Sequence, residues 1–198
     1  ENLAVFYDVE RMTGELDDRL KRRVILAIQG RSTGGTKPRY EGIAMGASLR
    51  VASAVAFIEG TRPVVNIAVY STDNGGVADA GLLETVRAAV NADDKRMLSD
   101  TIVVRAAVFS TVNITADVWL LPETPDTILA ALVSGLREDW AAETGLGFDL
   151  TPAWITARLM KSGVQNVVVT SPSAPVVAPP QNAIALGTIT LTNRGRAF

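Results

Sequence analysis

The feature that most constrains this fold is a continuous segment, Asp93–Asp126, with the sequence DDKRMLSDTIVVRAAVFSTVNITADVWLLPETPD. Thr101–Phe109 is rich in β-branched residues, and Val112–Leu120 alternates apolar and polar residues, as strands do. Thr124-Pro125 then predicts the start of a helix. Two strands that abut without a linker, with helices on either side, indicate two adjacent small sheets with their boundary at Phe109/Ser110.

Upstream, the sequence predicts a helical hairpin. A helix over Glu15–Gln29, capped by Thr13 and ended by Gly30, is indicated by apolar residues at every fourth position. These residues are Leu16, Leu20, Val24 and Ile28. Lys37–Ala47 predicts the second helix, with Tyr40, Ile43, Ala44 and Ala47 on one face and a proline in the first turn. Ser32–Thr36 is the expected turn between the helices.

The middle of the chain predicts a β-β-α-β module. Val51–Gly60 and Arg62–Thr72 are rich in Val and Ile and are separated by a short turn, which is typical of a hairpin. Asp73–Gly76 breaks the second strand, and Asp79 is the expected cap of the following helix. The apolar residues of that helix are Leu82, Leu83, Val86, Ala89 and Val90.

The last part of the chain predicts a second sheet with two helices. The first carries Ile128, Leu129, Leu132, Leu136 and Trp140 inward. The second begins at Thr151-Pro152 and carries Trp154, Ile155, Leu159 and Met160. Strands are expected at Val164–Thr170 and Ala183–Asn193, joined by the proline-rich loop or arm Ser171–Asn182. The fold class is therefore α+β, an N-terminal helical hairpin followed by two small sheet-plus-helix modules. The expected division is 1–48, 49–109 and 110–198, and the first part is expected to continue a domain that begins before residue 1.

Composition limits the chemistry that this chain can perform. The 198 residues include no cysteine and no histidine, so thiolate metal sites and a serine–histidine–carboxylate triad are excluded. A net charge of −2 gives no overall field toward nucleic acid. The dense basic run Arg19, Lys21, Arg22 and Arg23 is expected to form a solvated helix face. No apolar stretch is long enough to span a bilayer, and the opening residues ENLAVFYDVER are not expected to form a secretory signal.

No catalytic, cofactor-binding or metal-binding residue is predicted. Arg31–Lys37, RSTGGTK, has glycines before a helix but lacks the spacing of a phosphate-binding loop. Asp73–Gly76 resembles only the first positions of a calcium loop, and a turn followed by a helix cap explains it. The acidic pairs Asp17-Asp18 and Asp93-Asp94 are expected on solvated surfaces.

Five residues are predicted to contact partner proteins, because they place aromatic or cationic side chains on nominally exposed faces. They are Trp119, Arg22, Arg23, Arg194 and Arg196. Trp119 lies on the polar phase of its strand, which suggests a second packed layer or a partner surface. The proline-rich arm and the final strand are expected to add to a neighbouring sheet.

Several motifs in order resemble the C-terminal two thirds of the baseplate J-like family, proteins of contractile phage tails. They are GRSTGGTKPRYEGIAM (Gly30–Met45), the turn Asp73–Gly76, MLSDTIVVRA, VNITADVWL and WITARLMKSGVQNVVV. The resemblance implies a structural baseplate wedge subunit that is not an enzyme. It implies dimers or heteromers with other wedge and hub proteins around the sixfold tail, linking hub to periphery. The implied location is the virion tail baseplate, assembled in the host cytoplasm.

The family resemblance implies no cofactor, and no nucleic acid, membrane or small-molecule substrate is expected as a partner. Two alternatives remain open. One is a glycoside hydrolase of a tail that uses carboxylates alone and needs two of them about 5–9.5 Å apart in a cleft. The other is a generic protein-interaction adaptor outside any tail.

Overall fold

A computed structural model describes residues 2–31, 34–60 and 64–196. The chain divides into two compact units, Glu1–Val108 and Phe109–Phe198. Each unit contains helices and a three-stranded sheet, and helices precede the first sheet. The predicted α+β class is confirmed. None of the helices in the described ranges is long and apolar enough to cross a membrane.

The first unit contains four α-helices and one sheet within its described residues. Its elements are α1 (Asn2–Phe6), α2 (Asp17–Gln29), α3 (Lys37–Ala47), β1 (Val51–Ile58), β2 (Val64–Ser71), a 3₁₀ turn (Asn74–Gly76), α4 (Ala80–Val90) and β3 (Thr101–Ala106). Strands β1 and β2 pair antiparallel, which confirms the predicted hairpin, and β2 pairs with β3 in parallel. A parallel pair needs a crossover, and α4 supplies it. The β-β-α-β order is therefore confirmed.

Helices α2 and α3 pack antiparallel and approach each other closely at two glycines. A Cβ on Gly30 would lie 2.9 Å from the Cα of Arg39, and one on Gly42 would lie 3.5 Å from Leu26 Cβ. At the other end of α2, Arg19 bonds to the carbonyl oxygen of Met45. The helical hairpin is thus confirmed. The predicted turn residues Ser32 and Thr33 lie outside the described residues.

The core of the first unit lies between α3, α4 and the sheet. Its buried side chains are Tyr40, Ala44, Met45, Val51, Ala54, Ala56, Ile67, Val69, Ala78, Leu82, Val86, Val90 and Val104. A smaller cluster joins α1 to α2 through Ala4, Leu20 and Val24. Asp79 caps α4 as predicted, since its side chain accepts a hydrogen bond from the Leu82 N–H.

The second unit places two helices over its sheet. Its elements are β4 (Val108–Leu120), α5 (Ile128–Glu143), α6 (Pro152–Leu159), β5 (Val164–Ser171) and β6 (Asn182–Arg196). The strand order is β5-β4-β6, with β5 antiparallel to β4. The period-two prediction for β4 is confirmed, because Ile114, Ala116, Val118 and Leu120 are all buried. Thr151 caps α6 as predicted, accepting from the Trp154 N–H.

Four sequence expectations about helix ends and faces are wrong. Thr13 does not cap α2; Leu16 precedes the helix in an extended conformation and provides no side-chain cap. Leu16 and Ile28 are 77% and 40% exposed, so only the middle of the predicted stripe is buried. Met160 is 45% exposed because α6 ends one residue earlier. Helix α5 begins at Ile128, after a turn in which its N–H bonds to the Pro125 carbonyl.

Candidate partner-contact surfaces

The strongest electrostatic feature of the first unit is a buried carboxylate, Glu15, held between two arginines. Oε1 of Glu15 lies 2.6 Å from Nη1 of Arg19, and Oε2 lies 2.9 Å from Nη1 of Arg23. The Glu15 side chain has 0% exposure, and those of Arg19 and Arg23 have 14% and 12%. Because one carboxylate serves two guanidinium groups, the cluster keeps a net positive charge.

Hydrogen bonds and charge determine the ionisation of Glu15. Burial alone would raise its pKa. The Met12 N–H and Arg19 donate to the carboxylate, and the charges of Arg23 and Arg19 add to this, so that the pKa lies below its ordinary value. Glu15 is therefore a carboxylate at neutral pH, and both ion pairs are formed.

Arg19 also joins the helical pair to the first strand. Its Nη2 donates to the carbonyl oxygens of Met45 at 2.5 Å, Ser48 at 2.7 Å and Val51 at 3.3 Å. The carbonyls at the end of a helix have no intrahelical donor, and a cation there is favourable. The guanidinium thus fixes the end of α3 and the beginning of β1 against α2.

This geometry corrects the expectation that the basic run forms a solvated helix face. Arg19 and Arg23 lie mostly buried on the side of α2 that faces α3. Lys21, at 71% exposure, and Arg22 do lie on the exposed side. Helical spacing of four residues carries both arginines to the same face, and the acid that pairs with them precedes the helix.

Two further polar contacts organise the first unit. Arg50 Nε bonds to Asp73 at 2.6 Å, and its Nη2 bonds to the capping residue Asp79. The carboxylates next to the glycine turn therefore bind a guanidinium, which agrees with the predicted turn and cap. The Tyr40 hydroxyl donates a 2.5 Å hydrogen bond to Asp100, and burial followed by that bond raises the pKa of Tyr40.

Glu41 has an environment opposite to that of Glu15. Its carboxylate accepts a 3.0 Å hydrogen bond from the Ala56 N–H, which ties α3 to β1. Burial raises the pKa of Glu41, and the bond to Ala56 and the charges of Lys37 and Arg22 lower it only in part. Among the described residues, no group of three or more acidic side chains is arranged to hold a metal ion.

In the second unit the predicted contact residues Trp119 and Arg194 lie on the same face of the sheet. Trp119 is half-buried and stands between Val118 and Leu120, which have 0% exposure and point into the core. Asp117, two residues earlier on β4, shares the face of Trp119 and binds Arg194 Nε at 3.0 Å. Val168 pairs with Asp117 and adds an apolar side chain that is 45% exposed.

Arg196 lies at the end of β6 and is bound within its own unit. Its Nη2 is 3.0 Å from Asp126 and donates to the Thr124 carbonyl at 3.1 Å. Its side chain is 44% exposed, and that of Arg194 is 53% exposed. The structure thus brings Trp119 and Arg194 together, whereas Arg22 and Arg23 lie on α2 in the first unit. The partner contacts themselves stay a prediction.

Sequence reasoning missed the buried cluster of Glu15 with Arg19 and Arg23. The signal for it was present, because Glu15, Arg19 and Arg23 recur at intervals of four residues. An acid and two bases at that spacing are equally typical of an exposed helix face with salt bridges. Only the position of α3 places them in the interior.

Comparison with known proteins gives one clear sequence relative. The chain is 33% identical over 164 residues to Baseplate protein J of Escherichia phage P2, an alignment that covers 82% of this chain and 54% of that protein. The chain therefore spans about half the length of the curated relative it matches. No family profile matches the chain.

The fold also has a solved counterpart. The structure of the anti-feeding prophage baseplate, a six-fold symmetrised cryo-EM structure, matches with a TM-score of 0.59 and 15% identity. The match covers 87% of this chain and 42% of that chain. Together these likenesses indicate a phage baseplate component. The resemblance to baseplate J-like proteins that the ordered motifs indicated is thereby confirmed.

Proposed function

We propose that this chain is a structural subunit of a baseplate wedge, assembled in the host cytoplasm. In this role it forms dimers or heteromers with other wedge and hub proteins around the sixfold tail, links hub to periphery and catalyses no reaction. The observation that carries the proposal is the 33% identity to Baseplate protein J over 82% of the chain. The shared fold with the anti-feeding prophage baseplate supports it.

The proposed roles follow the division 1–48, 49–109 and 110–198. The helical hairpin acts as a stiff connector. Arg19 supports this role because its guanidinium fastens α2 to the end of α3 and to β1. The middle module anchors the hairpin through Tyr40 and Asp100, and the final module carries subunit contacts.

The contact surface that we propose for the final module is the outer face of its sheet. Trp119 and Val168 supply apolar area there, and the guanidinium of Arg194, which is half-exposed, lies on the same face. Aromatic and arginine side chains dominate the binding energy of protein interfaces. Arg22 and Arg196 remain secondary candidates, and the side chain of Arg23 is mostly buried.

The position of the final strand supports one part of the prediction that the arm and this strand add to a neighbouring sheet. β6 pairs with β4 in the sheet of its own unit and forms one edge of that sheet. The edge of β6 that faces away from β4 offers backbone groups to a neighbour. Deletion of the proline-rich arm and β6 is expected to abolish assembly, and intact assembly would contradict this role.

No specific observation favours the glycoside hydrolase alternative. Glu15 is bound by two arginines and Glu41 by a backbone N–H, so both of these carboxylates have structural partners. We expect no hydrolysis of cell-wall polymer by the purified chain in a turbidity assay.

Mass in solution tests the proposed function directly. Light scattering after size exclusion is measured on the chain alone and on mixtures with candidate wedge subunits. A dimer or a heteromer of fixed stoichiometry is the expected result. A stable monomer that binds no tail component would overturn the proposal and favour an adaptor outside the tail.

A further inference from the structure

The first unit contains a groove that none of the contacts described above fills. It lies along α2 and α3 and has a volume of about 490 Å³. Its floor includes Gly42 and Gly46 on α3, which have no side chain to fill the space. Leu26 and Ile43 complete the apolar part of the lining. A groove of this volume accommodates a few residues of an extended chain.

The charged side chains around the groove are mostly cationic. Arg23, Arg31, Arg39 and Lys95 all line it, and Asp8 supplies the only carboxylate among the described lining residues. Arg31 and Lys95 are exposed, and the Arg31 guanidinium lies 5.4 Å from the centroid of the Tyr7 ring. Arg23 belongs to the buried cluster in which the single carboxylate of Glu15 pairs with two arginines. The cluster therefore adds a net positive charge beside the groove.

Arg39 contributes a side chain to the groove whose hydrogen bonding is incomplete. Its Nε is buried and has no hydrogen-bond partner within the described part of the chain. Its Nη2 donates a long, 3.5 Å hydrogen bond to the Lys95 carbonyl oxygen. A buried N–H without an acceptor is costly, and an incoming carboxylate would supply the acceptor and a paired charge.

We propose that this groove binds an acidic peptide segment of a neighbouring baseplate protein, one that carries at least two carboxylates and an apolar side chain. The carboxylates pair with Arg31, Arg39 and Lys95, and the apolar side chain rests on the floor at Gly42 and Gly46. A charged rim around an apolar floor fits a peptide, because a nucleic acid would need cations along a longer track. The identity of the partner class rests on the proposed baseplate function.

Three variants separate the charge of the groove from its shape. Arg31→Glu with Lys95→Glu reverses the charge of two exposed side chains and leaves the core untouched. Gly46→Phe fills the floor without changing charge; a Cβ there meets only Arg23 Nη2, at 3.8 Å. Lys21→Glu is the matched control, because Lys21 is exposed on α2 and lies outside the groove lining.

The first experiment places a photo-crosslinking amino acid at Gly46, and at Lys21 as control, in assembled baseplates. The crosslinked peptide is identified by mass spectrometry. We expect a segment with two or more acidic residues from Gly46 and a yield at least about 10-fold lower in the charge-reversed variant. A neutral or basic segment, a nucleic acid adduct, or no crosslink at Gly46 would overturn the proposal.

The second experiment keeps this inference distinct from the proposed function. Fluorescence anisotropy on the purified chain compares a 12-residue peptide of alternating Glu and Leu with its Gln-for-Glu counterpart. We expect the acidic peptide to bind the unmodified chain and Lys21→Glu, and to bind the charge-reversed and Gly46→Phe variants at least about 10-fold more weakly. Equal binding of both peptides would refute the groove assignment. Absence of the chain from baseplates would instead refute the proposed function.

Discussion

The Glu15 carboxylate lies fully buried 2.6 Å from the guanidinium of Arg19, and the same carboxylate holds Arg23. We expect Glu15→Gln to lower the free energy of unfolding of the first unit by about 3 kcal/mol, because two mostly buried cations lose their counter-charge. Urea denaturation, monitored by far-ultraviolet circular dichroism, measures this change in the free energy of unfolding. Asp18→Asn is the control; Asp18 is 96% exposed, and a change below about 0.5 kcal/mol is expected.

Glu15 and Glu41 are expected to contribute to the pH dependence of stability in opposite directions. The folded pKa of Glu15 is lowered, so its contribution is present above the unfolded pKa, near 4.5, and is lost as pH falls through the folded value. The folded pKa of Glu41 is raised, so its contribution is present below the unfolded pKa and is lost as pH rises through the folded value.

Thermal unfolding between pH 3 and pH 7 tests this pair. Glu15→Gln should flatten the loss of stability below pH 4.5. Glu41→Gln should instead make the protein relatively more stable at pH 7, because the amide oxygen still accepts from Ala56 and no charge is buried. Parallel pH profiles for both variants and the unmodified chain would contradict the assigned pKa directions.

The cap of α4 combines a hydrogen bond with an ion pair at Asp79. Oδ1 accepts from the Leu82 N–H at 2.8 Å, and Oδ2 binds Arg50. We expect Asp79→Ala to lower the free energy of unfolding and Asp79→Asn to lower it less than half as much, because the amide oxygen retains the cap. The difference between the two variants should persist at 1 M salt, where exposed ion pairs are screened. Equal losses would assign the whole effect to the ion pair.

The glycine turn before α4 offers a test of tight packing. Gly76 has a φ of 96°, and a Cβ there would lie 2.2 Å from the ring of Tyr70. Gly76→Ala should therefore destabilise the first unit by at least about 2 kcal/mol, measured by chemical denaturation. Gly75 has a φ of 62° and open space around it, and asparagine tolerates that conformation. Gly75→Asn should cost less than about 1 kcal/mol.

Trp119 provides the prediction that bears most directly on assembly. We expect Trp119→Ala to weaken the complex with a wedge partner at least about 10-fold, because a large aromatic side chain leaves the interface. Thermal stability should change little, since the core faces of β4 are formed by its neighbours. Val103→Ala, at an exposed residue of the first unit, is the control in the same binding titration. Unchanged affinity for Trp119→Ala would remove this face from the proposed interface.

Local signals in the sequence determined the types and order of the secondary structure elements. Asp79 and Thr151 each cap the helix that follows them, because the bond to the N–H three residues later is local. The alternation along β4 likewise follows from the pleat of a strand. The family could also be recognised from the sequence, because its motifs keep their order along the chain.

Tertiary structure alone decided which polar side chains became interior and which apolar ones stayed outside. The parallel pairing of β2 with β3 joins residues far apart in the chain, and β6 reaches β4 after two helices and an arm. Arg19 looks like a surface residue until the end of α3 supplies three carbonyl oxygens to its guanidinium. Leu16 and Ile28 fit a helical stripe, yet the face of α2 toward α3 is instead formed by Arg19, Arg23 and Leu26, with Gly30 following the helix. Burial depends on what packs against a residue, and that information is not local in the sequence.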